Sequence, residues 1–271
     1  MTNSKSATLF QSGAMRTVED VLAVEEALHI SVNGEAFTVT MRTPGFEEDL
    51  VAGLLYTEEV YRDKQPLNIN IVSKNEKGFV TSVDVQVPQE LLLKDFAMNR
   101  NIVSASSCGL CGRTSFDETL SQHKIENQSV FPASQIPALF ETMHKSQADF
   151  SQSGGTHAAA AFSLSGEMIG IREDIGRHNA VDKLIGSLIR TGRLSDAVCM
   201  TVSGRLSYEI VNKATSAGIP ILASVSAPST MAVEHAQQNN MTLVAFCRDQ
   251  RFTVYAHPER ILMDTTLLTH T

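Results

Sequence analysis

Cysteine is scarce in this sequence, with four in 271 residues. So few cannot staple a chain of this length, which excludes a disulfide scaffold. In a reducing compartment a close cysteine pair is a metal clip or a chemically active thiol site. No apolar run approaches the roughly 20 residues needed to cross a bilayer. Positive charge is in deficit: 22 Lys and Arg against 30 Asp and Glu leave a net charge of -8. That disfavours non-specific nucleic-acid binding, and an anionic ligand would need a local basic pocket. The opening MTNSKSATLFQSGAMRTVED is polar and has no continuous apolar region of the kind a signal peptide carries. Repeats and low-complexity tracts are also missing. These absences together predict a cytoplasmic protein, with no nucleic acid or membrane among its partners.

What is present suffices for real cores, since 42% of the residues are hydrophobic. The length suggests about two domains. Residues 1–20 read as a flexible arm. Residues 21–99 read as a small α+β domain. In it, ALHISVNGEAFTVTMR alternates around Asn33-Gly34, a strong hairpin signal. A helix follows in TPGFEEDLVAGLLYTEEV, with acids in its first turn and Leu50, Val51, Leu54 and Leu55 on one face. NINIVSK and FVTSVDVQVP read as strands, and PQELLLKDFAMN as a short helix. Residues 100–127, rich in Ser, Gly, Asn and charge, read as an exposed connector, where function commonly sits. Residues 128–271 open with a helix, ASQIPALFETMHKSQADF, N-capped by Ser134, and a hairpin turning at Ser165-Gly166. Helices and strands then alternate to the end, which predicts an α/β domain with helices covering a sheet.

Three polar loops follow predicted strands of the second domain: Ser203-Gly204-Arg205, Ser226 to Thr230, and Cys247 to Arg251. Ligands of open α/β sheets bind outside the carboxyl ends of strands, where helix N-termini offer free N–H groups to anions. Arg205, Arg248 and Arg251 are suited to bidentate contacts with phosphates. One such loop is ordinary turn chemistry; three at one edge make a pocket. The block EDIGRHNAVDK, Glu173 to Lys183, joins a strand to a helix and brings acid, base and donor groups together in Asp174, Arg177, His178, Asn179, Asp182 and Lys183. His157 follows the pair Gly154-Gly155, which would let a ligand approach the backbone closely.

The remaining stretch is SSCGLCGR, with Cys108 and Cys111 three apart. A structural zinc site takes four ligands, and the nearby His123 leaves the set short, so no structural zinc is expected. A thioredoxin-like site needs its pair at a helix N-terminus, and no good helix follows. A third reading is a thiolate, favoured by Arg100 and Arg113, that attacks a persulfide and carries its outer sulfur. On these residues alone dithiol exchange and sulfur carriage stay open, with a zinc clip, short of ligands, as the third alternative.

SSCGLCGR, GGTHAAA, EDIGRHNAVDKLIG, SGRLSYEIVNKA, GIPILASVSAPSTMA and TLVAFCR occur in the order typical of one family. The chain resembles the FdhD family of formate dehydrogenase accessory sulfurtransferases over nearly its whole length. The resemblance implies a sulfur carrier that takes sulfane sulfur from a cysteine desulfurase. It would pass that sulfur to the molybdenum or tungsten bis-pterin guanine dinucleotide cofactor of formate dehydrogenase. Cys108 would hold the persulfide, with Cys111 assisting or sharing it. The cofactor, bound as a substrate, would lie at Phe246, Cys247, Arg248, Asp249, Gln250 and Arg251, near Ser203, Gly204, Arg205 and His178. Asp174, His178 or Lys183 would orient its metal end or manage protons. The resemblance also implies a homodimer, a docking contact with the formate dehydrogenase catalytic subunit, and a cytidine-deaminase-like fold for the second domain. Zinc deaminases carry an H-x-E and a P-C-x-x-C signature. Here Ala159 replaces the Glu, and Pro228 to Ala232 contains no cysteine, so deamination is not expected.

Overall fold

The computed structural model describes residues 1–63, 67–93 and 123–263. The first two strands, β1 (Thr2–Gln11) and β2 (Ala14–Ala23), pair antiparallel over their full length. The segment expected as a flexible arm is therefore a long hairpin. Ser12 and Gly13 both take positive φ, 53° and 78°, which is the mirror-image turn that matches strand twist. Sequence reading missed it because only weak alternation marks a strand exposed on both faces.

A four-stranded sheet follows, built from β3 (Glu26–Val32), β4 (Glu35–Arg42), β5 (Asn68–Lys74) and β6 (Val80–Gln86) in the order β4-β3-β6-β5. Asn33 and Gly34 make the expected turn between β3 and β4. Helix α1 (Glu47–Thr57) closes one face, and Leu28, Ile30, Leu50, Val51, Leu55, Val83 and Val85 form the core beneath it. The expected helix after β6 is, among the described residues, only a 3-10 turn at Gln89–Leu91.

The chain from residue 131 on holds β7 (Phe131–Pro132), α2 (Gln135–Lys145), α3 (Ala148–Ser153), β8 (His157–Phe162), β9 (Met168–Asp174), α4 (Arg177–Arg190), β10 (Cys199–Val202), α5 (Tyr208–Ser216), β11 (Ile221–Ser224), α6 (Thr230–Gln238), β12 (Thr242–Arg248), β13 (Arg251–Ala256) and β14 (Ile261–Leu262). The single helix expected over residues 133–150 is two, broken at Ser146 and Gln147. Ser134 precedes the first but makes no side-chain cap bond. Six strands form one mixed sheet, β13-β12-β11-β10-β8-β9, in which β10, β11 and β12 run parallel. Alternate side chains serve opposite faces. Ala159, Ala161, Met200, Leu222 and Leu243 pack with residues of α4, α5 and α6, while Ala158, Ala160, Phe162, Ile221 and Val244 pack with α2. The result is the expected layering of helices on both faces of a sheet.

The four-stranded and six-stranded sheet units join where α1 crosses α4. A Cβ on Gly53 would lie 1.8 Å from the Asp182 carbonyl oxygen, and one on Gly186 would lie 1.8 Å from that of Asp49. Only glycine permits that approach. Buried charges surround the crossing. Lys213 Nζ lies 3.0 Å from Asp182, whose carboxylate also accepts from Thr57 at 2.8 Å. Lys183 pairs with Asp174 at 2.7 Å, and Arg172 donates to Asp49 at 2.8 Å.

Candidate functional site

The registers of the six-stranded sheet bring the ends of β9, β10, β11 and β12 and the start of β8 to one edge. His157 pairs with Asp174, and Val202 with Ala159. The three polar loops singled out in the sequence therefore share that edge. They are also tied to one another. Ser224 Oγ donates to the Gly204 carbonyl at 2.6 Å, and Leu206 N–H to that of Ala227 at 3.0 Å. Phe246 N–H donates to Ser226 O at 3.2 Å, and Arg248 Nε to Val225 O at 3.1 Å. Such cross-linking holds loop atoms in place before a ligand arrives.

The segment from Phe246 to Arg251 is conformationally unusual. Phe246, Asp249 and Gln250 have φ of 55°, 51° and 62°, all left-handed without being glycine. Each costs about 1–2 kcal/mol. Asp249 and Gln250 form the tight turn that sets Arg248 and Arg251 directly opposite each other across β12 and β13. Like charges in that relation destabilise a strand pair. Both arginines are exposed, and neither makes an ion pair among the described residues. Arg205 is exposed as well. Strain and unpaired like charge gathered at one sheet edge are what an anion site requires and a stability-optimised turn avoids. Cys247 departs from the rest of this set. Its side chain is buried in the core beneath the sheet, so only its backbone borders the edge.

Beside this edge, under α2 and α3, opens a cavity of about 710 Å³. Phe140, Met143 and Phe150 form its apolar wall, and Thr156, His157 and Ser203 its polar end. Gly154 and Gly155 lie on its rim, so the glycine pair was the sequence signal for this opening. Nothing in the sequence marked Phe140 of α2 or Phe150 of α3 as cavity-lining. Ser203 Oγ accepts from Ala158 N–H at 2.9 Å and lies 3.3 Å from His157 Nδ1. Burial, then the neighbouring Arg177 and His178, lowers the His157 pKa, which leaves a neutral imidazole at neutral pH. Gly204 leaves just enough room for Arg177, since a Cβ there would lie 3.3 Å from Arg177 Cβ.

The dense polar block divides between two tasks. Glu173 accepts from the N–H groups of Asp149 and Phe150, at 2.9 and 2.8 Å, and so holds α3 against the cavity. Arg177 and His178 stay near the edge, with His178 Nε2 2.9 Å from Glu209 of α5. Asp174, Asn179, Asp182 and Lys183 turn to the four-stranded sheet unit. Asp174 accepts from Thr43 N–H at 3.1 Å, and Lys183 donates to Thr43 O at 2.7 Å. Asn179 donates to Met41 O at 2.7 Å. Asp174 and Lys183, expected to orient a metal or move protons, are thus buried and fully occupied in the joint.

Cys108, Cys111, Arg100 and Arg113 lie outside the described residues. The chain on either side is anchored at the opposite edge of the sheet. Leu93 N–H donates to Val60 O at 3.0 Å, and His123 lies 2.6 Å from Glu59. Ile125 N–H donates at 2.9 Å to Asn239, beyond the end of α6. The other two cysteines are inert by placement. Burial pushes the Cys199 thiol far up and that of Cys247 to about 12, so neither supplies thiolate near neutrality. Among the described residues no three His, Cys, Asp or Glu side chains are placed to hold a metal. No helix among them is long and apolar enough to cross a membrane.

The model of the FdhD/NarQ family matches residues 23–262. A protein of Streptomyces avermitilis named sulfur carrier protein FdhD is 39% identical over 97% of this chain and 96% of its own length. One of the same name from Sulfolobus acidocaldarius is 42% identical over 93% of this chain and 95% of its own. Among solved structures, a provisionally assigned formate dehydrogenase accessory protein from Desulfotalea psychrophila superposes with a TM-score of 0.73 at 24% identity. That match covers 96% of this chain and 99% of the other, and shows the same fold.

Proposed function

This chain belongs to the FdhD/NarQ family, and from that premise we propose that it is a sulfur carrier serving formate dehydrogenase. The Cys108 thiolate attacks the outer sulfur of a cysteine desulfurase persulfide. A new S–S bond forms on Cys108, the old one breaks, and the desulfurase cysteine leaves as thiolate. Cys111 assists or shares the sulfur. The acceptor is the molybdenum or tungsten bis-pterin guanine dinucleotide cofactor, bound as substrate at the carboxyl edge of the second-domain sheet. The observation that carries this placement is the facing pair Arg248 and Arg251, held without counter-ions among the described residues on a strained turn. These arginines grip the pyrophosphates, Arg205 supports them, and the N-terminus of α5 adds N–H donors.

Loading and delivery then use opposite edges of one sheet. Cys108 lies fifteen residues from each anchor, Leu93 and His123 (108 − 93 and 123 − 108). Fifteen residues span at most about 50 Å, whereas the seven residues of β12 rise about 23 Å. Chain length thus permits one cysteine to serve both edges. The test is restoration of formate dehydrogenase activity in cells lacking the endogenous carrier. Cys108→Ala abolishes restoration if sulfur is carried; full restoration by both Cys108→Ala and Cys111→Ala would leave only a binding chaperone.

A further inference from the structure

The resemblance places His178 among the groups that touch the cofactor, yet its Nε2 is already engaged. The residue is buried, and Nε2 lies 2.9 Å from Glu209 Oε2 and 3.5 Å from Ser207 Oγ. Glu209 is the acid of the first turn of α5. A carboxylate there competes with any incoming anion for the positive end of the helix. Ser207, the N-cap, makes no side-chain cap bond, so its hydroxyl does not occupy the N–H groups of that turn. Arg177 directly precedes His178 and packs against the loop that leads into α5, where a Cβ on Gly204 would lie 3.3 Å from Arg177 Cβ. Arg177 makes no ion pair among the described residues, and its buried Nε has no hydrogen-bond partner there. A buried guanidinium N–H without an acceptor is costly. Asp174, three residues before it, is spent on Lys183. Glu209 is the natural counter-ion for this corner, and His178 holds it away.

We propose that His178 is a positioning residue that holds Glu209 aside, so that Arg177 and the first turn of α5 stay open to a phosphate of the bound dinucleotide. The imidazole N–H donates to the carboxylate, and the carboxylate is thereby kept from Arg177 and from the helix N–H groups. Without that N–H, Glu209 turns to them, and a phosphate must displace a group that the chain itself supplies. His178 thus acts through Glu209 and not on the ligand, and Arg177 joins the groups that receive the phosphate. No covalent bond is made or broken. This role rests on the placement of the cofactor at the carboxyl edge and deepens it, by naming what keeps one corner of that edge free of its own acid.

The test is a double-mutant cycle on the full chain, with guanosine diphosphate as the probe and calorimetry at fixed ionic strength as the readout. His178→Leu keeps much of the volume and removes the donor, and it weakens binding about tenfold, the size of one charge-assisted contact. Glu209→Gln binds at least as tightly as the wild type. His178→Leu combined with Glu209→Gln returns to within about twofold of Glu209→Gln alone. His178→Gln, which retains an N–H for the carboxylate, stays within about twofold of the wild type. Arg177→Gln loses about tenfold whether or not Glu209 is replaced. Weak binding that persists in the double variant would make His178 a direct ligand and overturn the positioning role, as would an unaltered affinity in His178→Leu. Should His178→Leu alone not fold, the double variant set against Glu209→Gln reads the same claim, with equal affinities expected. A wild type that binds no nucleotide contradicts the cofactor's placement at this edge, and the positioning role falls with it. A wild type that binds, with no rescue in the double variant, contradicts the positioning role alone.

Discussion

The joint between α1 and α4 and the carboxyl edge of the large sheet draw on the same residue types, and often on the same sequence motif, for opposite ends. At the joint every charge finds a partner. Asp174 meets Lys183, Asp182 meets Lys213, and Asp49 meets Arg172 and Arg190. Burial opposes the charge on Lys213, but Asp182 and Glu58 outweigh it and hold the ammonium protonated well above the ordinary lysine range. At the edge, Arg248 and Arg251 face each other with no counter-ion among the described residues. Paired charge out of water fixes geometry, whereas exposed charge without a partner is free to meet an anion. EDIGRHNAVDK reads as one block but is divided between these two tasks by the helical turn of α4.

The comparison breaks most sharply at the glycines. Gly53→Ala or Gly186→Ala drives a methyl into a backbone carbonyl at 1.8 Å, where no rotamer relieves it. The expected loss is about 5 kcal/mol, most of a domain's stability, measured by denaturant unfolding. Lys213→Met strands Asp182 and costs about 3 kcal/mol, and adding Asp182→Asn recovers much of that. A single substitution no worse than the double would show that the pair contributes nothing to the joint.

The edge predicts the reverse pattern. Arg248→Ala and Arg251→Ala leave stability within about 0.5 kcal/mol. Each weakens guanine nucleotide binding about tenfold, read by calorimetry. Thiol reactivity sharpens the contrast. At pH 8 a thiol with a pKa of about 12 is about one part in ten thousand thiolate, so alkylation of native protein spares Cys247 and Cys199. The smallest effect belongs to His157. Its pKa is lowered on folding, so its contribution to stability is present above the ordinary histidine range near 6.5 and fades as pH falls below it. His157→Gln flattens that part of the stability profile.

Much of this was legible in the residues. The parallel strands announced themselves by short apolar runs, and their carboxyl-end loops, from Ser203 to Arg251, did converge on one edge. The Gly154-Gly155 pair marked the cavity. Less legible was anything set by distant partners. Nothing near Asp182 in sequence indicates Lys213, thirty-one positions on (213 − 182), and nothing near His178 indicates Glu209. The hairpin of residues 2–23 escaped because a strand exposed on both faces leaves little of the alternation from which strands are read. Asp174 and Lys183 looked catalytic for the same reason that they are structural: a buried joint needs paired charges as much as an active site does.

The central claim is that sulfur rides on Cys108 and the edge receives it. Peptide mass spectrometry after incubation with a cysteine desulfurase and cysteine, without reductant, tests it most directly. The account predicts one added sulfur, about 32 Da, on the peptide containing Cys108, removed by dithiothreitol. A Cys108–Cys111 disulfide with no added sulfur, or no change at all, would contradict it.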